Sequence, residues 1–430
     1  MYRRLCIFAD QIISLIELPV LLLNDLKITR SELHDLLPSQ NAEDLEEFFS
    51  HLAWSVICEP GDGFAGLLVS ALGATAALNS ELQNLTSQSV KMSLLESGIS
   101  ASELDRFGVF EVAHHAARER WRPRLSLGAV KQAISKMQQI KGFMLTPVSA
   151  GWPEQLSDLR YNAPMALWVR GSQTSLDRLS KSVAVVGSRG ATTYGEFATE
   201  AVVAALVEKG ISIISGGAYG IDAMAHKSTL ALQGNTVAVM AGGIDKLYPS
   251  GNSQLLKRVT ETGAVLSEMP PGSIPTKWRF LQRNRLIAAL SHSTIVVEAN
   301  WRSGALNTAT HAQTLEREIY AVPGPISSPK SAGTNKLIAE GRAQLIVDSA
   351  DLLERMGIQA KVPTQLELSG LGAIEVRVLD AIGFDSLEIA EICSAAGLTR
   401  DEARFGLGNL ELEGLVARRG NAWAKTQTTL

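Results

Sequence analysis

The chain has 430 residues, 46% of them hydrophobic and 20% charged, with a formal net charge of −4. That length allows roughly two to four domains and a sizeable core. The profile is that of a soluble globular protein and excludes a surface that is basic throughout, so any binding to a polyanion must rest on a local patch.

The opening residues MYRRLCIFADQIISLIELPVLLLNDL place two arginines before apolar residues, but Asp10, Glu17 and Pro19 interrupt the run and no small-residue cleavage site follows. We therefore expect an amphipathic helical start, with neither export nor a membrane span. Cys6, Cys58 and Cys393 are odd in number and widely spaced, which fits a reducing cytoplasm. Residues 1–60 read as a helical extension. From Pro60 the text turns small and apolar with recurring glycine, as in a small helical domain over 61–140. His114 and His115 have no acidic or cysteine ligand at metal spacing, so a packing or surface role is expected.

The stretch from Gly151 to Gly171, with Trp152, Pro153, Pro164 and Trp168, reads as an extended entry into a domain spanning 141–356. Val183 to Val186 is a β-branched run stopped by Gly187, and apolar residues return at helical spacing from Phe197 to Leu206. Ile211 to Ile214 meets glycines in the same way. Further strands are expected at Thr236 to Ala241, Ala264 to Ser267, Thr294 to Ala299 and from Glu318, each followed by a helix. Six strands alternating with helices give an extended Rossmann-like, doubly wound parallel sheet, whose ligands gather at the strand carboxyl ends. Arg189 projects from the first turn, while Ser215, Gly216, Gly217 and Gly220 leave the second nearly bare. Amides and an arginine fork in such turns suit phosphate oxygens; the glycines alone serve equally well for sharp strand-to-helix turns.

Residues 357–370 read as a linker, and 371–430 as a C-terminal winged-helix domain, with helices expected from Ile374, Ser386 and Thr399 and a hairpin over ARRGNAWAKT. The second helix of its helix-turn-helix, that from Thr399, carries Asp401, Glu402, Glu411 and Glu413 beside Arg400 and Arg404. Repulsion from phosphates makes protein contact or a purely structural role the expectation there.

No acidic residue lies between Glu268 and Glu298, while Lys277, Arg279, Arg283 and Arg285 fall close together with Trp278 and Phe280 among them. Cations that follow a backbone and aromatic faces that stack bases, at about 1–3 kcal/mol each, are what an unpaired polynucleotide needs. A solvated basic loop would show the same letters. G-x-x-x-x-G-K-[ST] is absent, and the first turn, GSRGATTYG, lacks G-x-G-x-x-G, so neither a P-loop ATPase nor a dinucleotide site is expected. Asp222 and His226 share one helix face; a cap and its neighbour is the expectation rather than a metal pair. No catalytic residue, metal or cofactor is expected.

These residues resemble the bacterial DNA-processing protein A family (DprA/Smf). The resemblance runs from about Trp152 to Leu353 and rests on VAVVGSR, ISGGAYGIDAMAH, AVMAGGIDKLYP, LSEMPPG, RFLQRNRLIAALS, VVEANWRSGALNTATHA and SAGTNKLI. It implies a non-enzymatic, dimeric protein that binds single-stranded DNA on the Rossmann-like rim and helps load the recombinase RecA in natural transformation or recombination. Residue by residue, Gly187, Ser188 and Arg189 match the first phosphate turn, Ser215, Gly216, Gly217, Gly220 and Asp222 the second, and Arg283, Asn284 and Arg285 the RNR element. Tyr219 stands where many members carry arginine and offers a face for a base instead. The competing expectation is a nucleotide-cleaving phosphoribohydrolase of the lysine-decarboxylase-like group. Its PGG-x-G-T-x-x-E element is replaced here by EANWRSGALNTA.

Overall fold

The computed structural model describes residues 36–37, 45–358, 371–382 and 386–426. The expected amphipathic start and nearly all of the expected linker lie outside them. The chain divides into two compact units, Met1–Met356 and Gly357–Leu430.

In the first unit, seven helices come before the sheet among the described residues: α1 (Leu45–Ile57), α2 (Gly63–Leu72), α3 (Ala74–Leu82), α4 (Ser87–Glu96), α5 (Ala101–Asp105), α6 (Phe110–Trp121) and α7 (Leu127–Gln139). The boundary expected near residue 60 falls between α1 and α2, whose buried residues Phe48, Trp54, Phe64 and Leu67 belong to one hydrophobic cluster. His114 is buried between Ser87 and Glu81, at 2.9 Å and 2.8 Å, whereas His115 is exposed. Among the described residues no single helix is long and apolar enough to cross a membrane.

The sheet has nine strands: β1 (Phe143–Leu145), β2 (Leu167–Gly171), β3 (Ser182–Val186), β4 (Ser212–Ser215), β5 (Thr236–Val239), β6 (Ala264–Ser267), β7 (Ser293–Val296), β8 (Glu318–Ala321) and β9 (Gln344–Leu345). Their order is β1-β2-β6-β5-β4-β3-β7-β8-β9. The six expected strands are β3 to β8, all parallel. The segment read as an extended entry supplies β2, which pairs antiparallel with β6 and carries β1 at the edge. The chain winds one way through β3, β4, β5 and β6, then returns to place β7 against the other side of β3. That reversal opens a crevice at the carboxyl ends of β3 and β7.

Crossovers are α9 (Thr193–Glu208), α10 (Ile221–Ala231), α11 (Ser253–Thr262), α12 (Lys277–Leu290), α13 (Gly304–Thr314) and α14 (Ala332–Ala339), with α8 (Gln173–Asp177) before β3 and α15 (Ser349–Arg355) after β9. Alternation along the strands sends neighbouring side chains to opposite faces. Ala238, Met240 and Val265 face one cluster with Trp54, Leu68 and Met137 of the N-terminal helices. Val237, Val239 and Leu266 face another with Leu286 and Leu290 of α12 and Ala309 of α13. The helical region and the sheet thus share a core.

The second unit has α16 (Ala373–Ile382), β10 (Leu387–Glu388), α17 (Ile389–Ala396), α18 (Arg400–Leu412), β11 (Val416–Arg419) and β12 (Ala422–Lys425), with a three-stranded sheet in the order β10-β12-β11. Thr399 caps α18 and forms a capping box with Glu402. Ser386 does not start a helix, because Leu387 and Glu388 pair with β12 and Glu388 becomes the cap of α17. This is a winged-helix domain around Val378, Ile392, Leu407 and Leu410.

Candidate nucleic-acid interface

The two glycine turns meet each other. Ile221 donates its backbone N–H to the Ser188 carbonyl at 3.1 Å, and Ser188 donates its own to the Glu298 carbonyl at 2.8 Å. Gly220, at φ 74°, must stay bare, since a Cβ there would lie 2.2 Å from the Ser188 oxygen. The contact joins the ends of β3, β4 and β7 into one rim.

Beneath it sits Asp222, on the first turn of α10 and 6% exposed. Its carboxylate is hydrogen-bonded by the backbone amides of Ala218, Gly187 and Gly216. Burial pushes its pKa up, against the pull of Arg283 and those amides. The Gly187 and Gly216 amides, expected to face an outside anion, therefore hold an inside one. Ser215 is likewise turned inward, donating to the Val185 carbonyl at 2.7 Å, and Gly216 and Gly217 are buried. The second turn is a packed element, and its glycines answer to close approach: a Cβ on Gly216 would lie 2.4 Å from the Arg283 guanidinium. Tyr219 alone of this turn is well exposed, its hydroxyl accepting from the Gly251 amide at 3.3 Å.

The stretch expected as a basic loop is the N-terminal half of α12. KWRFLQRNRLIAAL contains neither glycine nor proline, and Thr276 caps it by accepting from the Arg279 amide. Helical spacing then sends its cations in different directions. Lys277 and Trp278 are exposed. Arg279 forms a two-pronged pair with Glu59 at 2.9 Å and 2.7 Å. Arg283 is buried and donates to the carbonyls of Gly216, at 2.8 Å, and Val239. Burial, and secondarily Arg189 against the pull of Asp222, lowers its pKa to about 10. Asn284 ties α12 to α13 through the Gly304 carbonyl and Asn307 side chain, both at 3.2 Å. Arg285 leaves the rim altogether: it is 3% exposed and grips both oxygens of Glu268 at 2.7 Å and 2.8 Å. The expected shared track of Arg189, the second turn and Arg285 is corrected accordingly, because a helix cannot point residues 283 and 285 the same way.

What remains is a cleft of about 570 Å³ at the β3–β7 reversal. Gly187, Ser188, Arg189 and Gly190 form one wall, Phe280 and Leu281 another, and Asn300, Arg302, Ser303 and Lys330 the third, with Asp222, Arg283 and Asn284 in its floor. The Arg189 guanidinium stands 5.1 Å from the Phe280 ring centroid. Lys330 donates to the Gly190 carbonyl, linking the loop after β8 to the first turn. Ser303 caps α13, so the positive end of that helix also borders the cleft. Arg302 and Lys330 were missed from the sequence. The signal was the winding order: the strand after the return crossover lies beside β3, which brings the loop after β7 to the first turn.

The family description DNA recombination-mediator protein A matches residues 143–357, and that of the DprA winged helix domain matches residues 362–421. The chain belongs to the DNA recombination-mediator protein A family. The DNA processing protein DprA of Bacillus subtilis is 36% identical over 217 residues, 50% of this chain and 72% of that one. The X-ray structure of DNA processing protein A from Streptococcus pneumoniae is similar over 76% of this chain and 98% of that one, at 30% identity and a TM-score of 0.54. That from Helicobacter pylori, described for its single-stranded DNA binding mode, is similar over 50% of this chain and 95% of that one, at 28% identity and a TM-score of 0.46.

Proposed function

We propose that this family member binds single-stranded DNA in the β3–β7 cleft, as a cytoplasmic homodimer and without a catalytic step, and passes the strand to the recombinase RecA. The observation that carries the reading is the convergence of Arg189, Arg302 and Lys330, from three different loops, on one cleft beside an aromatic face. Cations beside a ring suit phosphates flanking a stacked base, and unpaired bases are the ones free to stack. Ser188, Arg189 and Gly190 then contact phosphate, while Gly216, Asn284 and Arg283 hold the walls in place.

The absence of catalysis is supported by the state of the nearby carboxylates. Glu298 accepts from the Thr192 amide at 3.0 Å and from its hydroxyl at 2.5 Å, and Asp222 is closed off by amides. Neither is placed to act as a base on a nucleotide. The test is a titration of single- and double-stranded oligonucleotides across a salt series. Tighter binding of the single strand is expected, with log affinity falling by about 0.7 per phosphate neutralised for each tenfold rise in salt. Equal affinity for the duplex would overturn the reading.

A further inference from the structure

A second hollow of about 500 Å³ lies on the other side of the α12 N-terminus. Its floor is Ala113 and Ala116 of α6, its walls Phe64 and Phe107 with the backbone of Gly61 to Gly63, and Trp278 stands at its mouth, 57% exposed. Phe64 and Phe107 meet edge to face at 5.4 Å. The two acids that line it are already engaged. Glu59 is held between Arg279 and Arg124, at 2.7 Å and 2.8 Å. Asp62 accepts from Arg120 at 3.3 Å and from the Trp121 indole at 2.9 Å. Exposed Arg120 lines the hollow, Arg124 reaches it through Glu59, and exposed Lys277 precedes Trp278 in the chain.

The hollow and the cleft flank the same helix end. Trp278 borders one and Leu281, three residues on, borders the other. Residues at that spacing are neighbours on a helix surface, about 5–6 Å apart at Cβ. We infer that the N-terminal helices form a second base-binding subsite, in which a nucleobase of the same strand lies between Trp278 and the Phe64–Phe107 wall while Arg120 and Arg124 follow its phosphates. The occupant is a base because the hollow is bordered by Phe64, Phe107 and Trp278, arginines outnumber the two acids around it, and a strand leaving the cleft over Leu281 reaches it next.

This subsite rests on the reading of the β3–β7 cleft, and the experiment separates the two. The full chain is titrated with a short oligothymidylate that fits the cleft alone and a long one that extends past it. Trp278→Ala is expected to weaken the long strand about tenfold and leave the short strand unchanged, the loss of roughly one stacked base. Ala116→Trp, which fills the hollow while keeping Trp278, is expected to do the same. Unchanged long-strand affinity in both variants overturns the subsite, as does an equal loss for both lengths, which would return Trp278 to the cleft. A change in oligomeric mass without a change in long-strand affinity also overturns it and assigns the hollow to a second copy of the chain. Failure of the cleft reading is distinct: the wild-type chain would then bind neither length.

Discussion

The turns after β3 and β4 are alike on paper, each a β-branched strand run into glycines and a helix, yet they differ in where their polar groups point. The turn after β4 is closed: the amides of Gly216 and Ala218 end on Asp222, and the Gly216 carbonyl ends on Arg283. The turn after β3 sends its Gly187 and Ser188 amides inward, to Asp222 and the Glu298 carbonyl, and leaves Arg189 and Gly190 exposed at the cleft. Asking where each buried backbone group finds its partner separates a packing turn from a ligand turn, which glycine content cannot do.

The largest effect expected from breaking the contrast is at Gly220. Gly220→Ala forces a positive φ on alanine and a Cβ into the Ser188 oxygen, so chemical denaturation is expected to show a loss on the order of 4 kcal/mol. Gly190→Ala, whose nearest neighbour would be the movable end of Lys330 at 3.4 Å, is expected to change stability by no more than about 0.5 kcal/mol. Equal losses at the two sites would erase the distinction between the turns.

A smaller effect sharpens the closed side. His226, on the helix that leaves the second turn, is wholly buried, with Nδ1 2.7 Å from the Thr236 hydroxyl. Burial, aided by Arg283, lowers its pKa to about 3. The folded state thus binds fewer protons than the unfolded chain between the two pKa values. The stability this contributes is fully present above the unfolded value and is lost as pH falls toward the folded one. From about pH 7 to about pH 5 the loss is on the order of 2 kcal/mol. Urea midpoints of His226→Gln across this range are expected to slope less than those of the wild type, and parallel slopes would remove His226 as the cause.

The smallest effect belongs to the open side. Arg189→Ala is expected to weaken single-stranded DNA binding about tenfold and to lower the salt slope by roughly one phosphate's share, with little change in stability. Arg285→Ala instead strands the buried Glu268 carboxylate, so its loss should be read in stability, with the salt slope unchanged. A lowered slope in Arg285→Ala would put that residue back at the interface.

Much of this architecture was legible because it follows from period and punctuation. The six parallel strands are β-branched runs between glycines, and the winged helix announces its third helix at Thr399. The antiparallel β2 was read only as extended, since Leu167 to Val169 carries nothing to say that its partner is β6, nearly a hundred positions on. The site was half legible. Arg189 was found because an arginine projecting from a glycine turn at a strand end offers a fork of donors to phosphate oxygens. Arg283 and Arg285 were misread because charge was counted by letter, whereas their acids, Asp222 and Glu268, approach only through the fold.

The cluster joining Trp54 and Met137 to Ala238 and Val265 also limits how the chain can be cut. A fragment that begins at the sheet would bare Trp168, Met240 and Ile244, all buried against that cluster, to water. Removing the leading helices is therefore not the trimming of an accessory module, and a truncated protein that loses DNA would report the collapse of its scaffold before it reported anything about the missing helices.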